Sequence, residues 1–174
     1  MEHDLNCTLE ELYSGTTKRM RVTRTIEDEA TRTTRQESQE LKVDVKPGWR
    51  TGTKVRFSGA GDRRMGEPAQ DVVFIIKAKP HPTFQRDGDN LTTTVSIPLK
   101  DALCGTANVP IPTIDGKKVN LPLRGVTQHN TKRTLSGYGM PKKAGGQGDL
   151  IVTFDVKFPS ALTADQQQAL ARIL

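Results

Sequence analysis

The sequence predicts a mainly β protein: two tandem copies of one strand-rich unit, followed by a short C-terminal helix. Three observations predict it. Blocks of sequence recur in the same order, short apolar–polar alternations fill each copy, and the pattern turns helical after Leu162.

The repeat comes first because it sets the organisation. Leu5-Asn6-Cys7-Thr8-Leu9-Glu10-Glu11-Leu12-Tyr13-Ser14-Gly15-Thr16 aligns with Val95-Ser96-Ile97-Pro98-Leu99-Lys100-Asp101-Ala102-Leu103-Cys104-Gly105-Thr106. Thr53-Lys54-Val55-Arg56-Phe57-Ser58-Gly59 matches Thr131-Lys132-Arg133-Thr134-Leu135-Ser136-Gly137, and Asp71-Val72-Val73-Phe74 matches Asp149-Leu150-Ile151-Val152. The first copy is longer between the first and second blocks, which places an insertion in the polar stretch Thr23 to Gln39. A split near Pro80-His81-Pro82 gives units 1–79 and 80–159, with 160–174 as a tail.

Within the units, Met20 and Val22 alternate with Arg19 and Arg21, and Leu41, Val43 and Val45 alternate with Lys42 and Asp44. Val55 and Phe57 share a face, as do Phe74 and Ile76, and Val119, Leu121 and Leu123 repeat the pattern. Pro47-Gly48, Ser58-Gly59, Asp87-Gly88, Asp115-Gly116 and Gly145-Gly146 mark turns. Helical turns fit Thr8 to Tyr13, with Thr8 as N-cap, and Leu99 to Leu103. In the tail, Thr163 caps a helix that places Ala169, Leu170, Ile173 and Leu174 on one side. A helix this short is marginal alone, so it must pack on its own domain or on a partner.

Composition agrees with thin β-layers. Only 34% of the residues are hydrophobic and 5% aromatic, against 26% charged, too lean for one large central core. No apolar run approaches the roughly 18 residues of a membrane span. The start Met1-Glu2-His3-Asp4 lacks the basic and apolar regions of a signal peptide, and Cys7 and Cys104 sit in no C-x-x-C pair. These features predict a soluble cytoplasmic chain with reduced thiols.

Most chemistries lack a motif. His3, His81 and His129 have no ligand partners at zinc spacing, so no metal or other cofactor is expected. There is no Walker loop, nucleophile elbow or catalytic carboxylate pair, so the chain is not read as an enzyme. The net charge of +6 admits a polyanion partner. A basic β-module binding RNA is the alternative reading, although nucleic acid is not the expected partner because Trp49 and the phenylalanines fall at core-like positions.

Several motifs together resemble the carboxy-terminal half of DnaJ-type co-chaperones. They are Leu9-Glu10-Glu11-Leu12-Tyr13-Ser14-Gly15, Thr17-Lys18-Arg19-Met20, Val45-Lys46-Pro47-Gly48-Trp49 and Pro80-His81-Pro82-Thr83-Phe84-Gln85-Arg86-Asp87-Gly88. Gly148-Asp149-Leu150 continues the likeness into the second unit, so it covers nearly the whole chain. The cysteine-rich zinc module of class A is missing, so the chain resembles class B; a J domain and a Gly/Phe linker are also absent, as in a fragment. The resemblance implies two tandem β-sandwich-like domains of the same topology plus a short C-terminal helix that forms a homodimer. It implies a shallow peptide groove at His3, Leu5, Met20, Val22 and Phe74, and Lys18 and Arg19 as the basic positions for the Glu-Glu-Val-Asp tail of a 70-kDa heat-shock chaperone. The implied partners are that chaperone and unfolded client polypeptides. Without the resemblance, Met20, Val22 and Phe74 read first as ordinary sandwich core, although a flexible thioether at Met20 suits a groove, and Met20 stands where the family groove often carries an aromatic.

Overall fold

A computed structural model describes residues 1–174. The first repeat contains β1 (Glu2–Cys7), α1 (Leu9–Ser14), β2 (Thr16–Asp28), β3 (Thr33–Val45), β4 (Lys54–Phe57) and β5 (Val72–Ala78). The second contains β6 (Gln85–Asp87), β7 (Asn90–Pro98), α2 (Leu99–Cys104), β8 (Thr106–Pro112), β9 (Lys118–Leu123), β10 (Lys132–Leu135) and β11 (Leu150–Lys157). The helix α3 (Ala164–Ile173) ends the chain.

Both repeats have the topology expected of a duplication. In each, the first long strand pairs parallel with the last, and the penultimate strand joins the far side of the last antiparallel: β1-β5-β4 and β7-β11-β10. The short β6 adds a fourth strand beside β7. The intervening strands form separate hairpins, β2-β3 and β8-β9. Each repeat is therefore a larger sheet, a short helix and a two-stranded layer, a sandwich-like unit.

The alternations explain which faces meet. On β5, Val72, Phe74 and Ile76 are buried while Val73 and Ile75 are half-buried; on β11, Leu150, Val152, Phe154 and Val156 are buried. Val22, Leu41, Val43 and Val45 bring the first hairpin onto the same core, and α1 buries Leu9 and Leu12. The helix forms where the sequence places a capping box. The Glu11 N–H donates to Thr8 Oγ1 at 3.2 Å, and the Thr8 N–H donates back to Glu11 Oε1 at 3.0 Å.

The insertion in the first copy is a lengthened hairpin. The β2–β3 ladder pairs Thr16 with Val45 at one end and Asp28 with Thr33 at the other. Its outer half buries only Ile26, so it had no apolar alternation to reveal it. Polar contacts hold it: Arg24 Nη2 lies 2.9 Å from Glu37 Oε2, and the Arg63 N–H donates to the Thr25 carbonyl.

The repeats are clamped at a turn. Lys46-Pro47-Gly48-Trp49 closes with the Trp49 N–H donating to the Lys46 carbonyl at 3.3 Å, and Gly48 at φ 87° suits the third position of a type II turn. The Gly48 N–H donates to the Leu12 carbonyl at 2.7 Å. From the second repeat, Arg86 donates to the Trp49 carbonyl at 2.6 Å and to the Gly48 carbonyl at 2.9 Å. A Cβ on Gly48 would lie 2.6 Å from the Pro141 carbonyl oxygen, so the backbones meet where only glycine fits. Buried apolar side chains of both repeats form one cluster of 25 residues. The connection between them is also fixed: His81 Nδ1 accepts from the Thr83 and Phe84 N–H groups, and its Nε2 lies 2.5 Å from Glu10 Oε1.

No residue of α3 is buried, and no helix is long and apolar enough to cross a membrane.

Candidate functional site

Strand β2 carries most of the residues singled out in the sequence. It alternates as expected: Lys18, Met20 and Val22 face inward, and Arg19 and Arg21 are exposed. The groove residues divide. Leu5, Val22 and Phe74 are only 2%, 6% and 1% exposed, so they belong to the core of this chain taken alone. Met20 is half-buried and packs on that core, and His3 is exposed with its ring centroid 5.8 Å from that of Phe74. Register explains the His3 contact, because β1 and β5 pair His3 with Phe74. Phe57 meets the other side of Phe74 edge-on, with centroids 5.7 Å apart.

Lys18 and Arg19 do not converge. The Lys18 ammonium donates to the Asn6 carbonyl at 2.7 Å and lies 3.2 Å from Glu11 Oε1, tying β2 to β1 and α1. Arg19 lies on the opposite face of β2, with Nε 3.6 Å from Glu40 Oε1 in open solvent. Glu11 thus serves two partners, the Thr8 N–H and Lys18. Burial pushes its carboxyl up, but the Thr8 hydrogen bond and the Lys18 charge outweigh that and hold it below its ordinary value. Glu10 is likewise held low: burial raises it, and the bond to His81 prevails. The Thr8–Glu11 spacing is a capping signal in the sequence, whereas nothing local there links Lys18 to Glu11 or Asn6.

An extended peptide can pair with the edge of the strand that carries Lys18, Met20 and Val22, and the structure shows how much of that edge is open. This strand has a neighbour on one side only, β3. From Thr16 through Arg24 its backbone makes no hydrogen bond outside that ladder. Beyond Arg24 the edge is closed, because the Thr25 N–H donates to Asp62 Oδ1 at 2.7 Å and the Glu27 N–H to the Arg63 carbonyl at 3.0 Å. The open stretch is therefore a bounded row of backbone donors and acceptors beside Met20 and Val22. Its counterpart β8 is blunted. Pro110 and Pro112 stand in that strand and a register shift interrupts it between Thr106 and Val109. Proline in an edge strand presents no N–H to an incoming chain. The arrangement can take an extended peptide by strand addition in the first repeat and resists it in the second.

Nothing in the chain brings three or more His, Cys, Asp or Glu side chains together to hold a metal ion. The ends of α3 are bare: Ile173 and Leu174 are 77% and 85% exposed, Ala169 is exposed, and Leu170 is only partly covered. The rest of the chain therefore buries no residue of this helix.

Comparison with known proteins gives the family. Residues 1–159 match the family described as the DnaJ C terminal domain. The chain is 44% identical over 174 residues to DnaJ homolog subfamily B member 5 of Homo sapiens, covering 99% of this chain and 50% of that protein. It is 40% identical over 177 residues to DnaJ protein homolog 1 of Drosophila melanogaster, covering 100% of this chain and 52% of that protein. It is 32% identical over 170 residues to Protein SIS1 of Saccharomyces cerevisiae, covering 96% and 47% respectively. The chain thus spans about half the length of the curated relatives it matches.

A pH-dependent effect follows from Glu11. Glu11→Gln keeps a side chain able to complete the cap, as Gln166 does for Thr163, and removes the charge that Lys18 meets. A carboxyl held low stabilises the fold fully above its unfolded value near 4.5 and loses that contribution as pH falls through its folded value. Urea denaturation should find the variant less stable by about 0.5–1 kcal/mol at pH 7. The difference should shrink toward zero in strongly acid solution; a pH-independent difference would place the effect in the cap.

Proposed function

We propose that this chain, which belongs to the DnaJ C-terminal domain family, is the polypeptide-binding part of a co-chaperone. It holds unfolded segments as an added strand on β2 and passes them to a 70-kDa heat-shock chaperone. The observation that carries this reading is the open edge from Thr16 to Arg24. Backbone hydrogen bonds to that edge are indifferent to client sequence, which suits a holder of many unfolded chains. Met20 supplies an adaptable apolar contact beside it. Leu5, Val22 and Phe74 belong to the core cluster on which Met20 packs, so they act by holding Met20 in place.

The acidic tail of the heat-shock partner docks on the same strand. Lys18 is already neutralised by Glu11, so a terminal carboxylate competes with that contact, and Arg19 offers a second cation from the solvent face. The units 1–79, 80–159 and 160–174 divide the work into peptide binding, spacing and dimerisation. Ala169, Leu170, Ile173 and Leu174 form the dimer contact, supported by the fact that none of them is buried within the chain. Two-fold pairing would place two β2 edges on one client.

Two substitutions separate surface from core. Met20→Asp should leave the fold intact and lower affinity for a denatured client at least roughly tenfold, because a charge enters the apolar contact. Phe74→Asp should instead unfold the first repeat, costing more than about 3 kcal/mol. Fluorescence anisotropy with a labelled denatured client, alongside circular dichroism, reads both; a folded Met20→Asp chain with unchanged affinity removes β2 from the site.

The helix is tested by deletion. Removing Leu162 to Leu174 should leave a folded monomer that binds short peptides as before and captures large clients less well. Sedimentation across a dilution series is the check, and an unchanged dimer after deletion would move the interface elsewhere.

A further inference from the structure

A concave basic cleft lies on the seam between the repeats, away from β2. Its volume is about 730 Å³, and Lys46, Trp49, Arg50, Lys142 and Lys143 line it. Asp89 is the sole carboxylate among the lining residues, and it is occupied by Arg50, whose Nη2 lies 2.9 Å from Asp89 Oδ1. Lys46, Lys142 and Lys143 are exposed and make no ion pair. Three free ammonium groups thus face one concavity, where their fields reinforce one another.

The floor of the cleft is rigid. The Lys46–Trp49 turn is held by the Leu12 carbonyl, by two hydrogen bonds from Arg86 and by the Gly48–Pro141 contact. Lys142 and Lys143 ride on the next turn, where the Lys142 N–H donates to the Gly146 carbonyl at 2.9 Å and the Gly145 N–H to the Lys142 carbonyl at 3.1 Å. The cations therefore come from two repeats that are fixed to each other, so a ligand meets them without a large ordering cost.

We propose that this cleft binds an acidic polypeptide segment, at a site distinct from the β2 edge and independent of the function proposed for it. Its carboxylates would pair with Lys46, Lys142 and Lys143, and the half-buried indole of Trp49 would pack against its backbone or an apolar side chain. Size and composition favour a peptide over nucleic acid. The volume falls within the roughly 300–1,000 Å³ of a compact ligand site. A strand of nucleic acid calls for successive stacking rings along a groove, and Trp49 is the one aromatic residue here.

Trp49 is the single tryptophan of the chain, so its fluorescence reports on this cleft directly. The 174-residue chain is titrated with a Glu/Gly decapeptide, with its Lys/Gly counterpart and with an oligouridylate of matched charge. The acidic peptide should shift Trp49 emission saturably, weaken with added salt, and lose affinity at least roughly tenfold in K142E/K143E. Lys18→Glu should leave that titration unchanged, so failure here is distinguishable from failure at β2. The milder K142Q/K143Q chain, checked by circular dichroism, gives the same reading if the charge reversals disturb folding. Three results overturn the proposal: no saturable change with the acidic peptide, full affinity retained in both lysine variants, or tighter lysine-dependent binding of the oligouridylate.

Discussion

The β2–β3 ladder is continuous from Thr16–Val45 to Asp28–Thr33, and no third strand extends it on the β2 side. An edge of this kind normally invites aggregation, and proteins blunt it with charges, proline or a covering loop. Here the outer part is covered by the Asp62–Arg63 segment, while the inner part is flanked by the charged Arg19 and Arg21 and left unpaired. The large sheet depends on the same division. The hairpin stands apart from the sheet β1-β5-β4, and Val72, Phe74 and Ile76 of β5 share one buried cluster with Val22, Leu41 and Val43 of the hairpin.

Duplication then makes the two repeats a natural comparison. They share strand pairing, helix placement and the glycine after each short helix, Gly15 and Gly105, both at positive φ. They differ at the hairpin edge, where the second copy carries Pro110, Pro112 and a bulge. They differ also at the helix cap: Thr8 and Glu11 close the first, while Pro98 offers no side-chain bond to the second. The first copy is thus the one whose strand edge remains available and whose β2 is tethered through Lys18 to that capped helix. A binding surface needs both properties, since an edge that is free but poorly positioned adds ordering cost to every client.

Much of this was legible in the residues. Alternation marks the buried side of β2, β3 and β5 at Val22, Leu41, Val43, Val45, Phe74 and Ile76, with Met20 half-buried on the same side, because a half-buried strand has period two. Thr8 and Thr163 announced both capped helices. β1 carries little strand signal, because it is short and buries only Leu5 and Cys7. The outer hairpin reads as a polar insertion because Ile26 is its lone buried side chain and cross-strand charges do the rest. The groove was harder still: periodicity says that Val22 and Phe74 face inward, and both a core and a groove satisfy that. Lys18 is implied by the resemblance alone, and its bonds to Asn6 and Glu11 depend on how β1, α1 and β2 stack, which no local pattern encodes.

Unfolded chains held on the backbone edge of β2 in the first repeat would shield the amides of that strand from solvent. Amide hydrogen exchange, with and without a saturating unfolded peptide, reads that edge directly. Peptide binding should add protection within Thr16 to Arg24, with little change across Thr106 to Pro112 and none in α3. Protection concentrated in β8 or in the Lys46–Trp49 turn, with β2 unchanged, would contradict it.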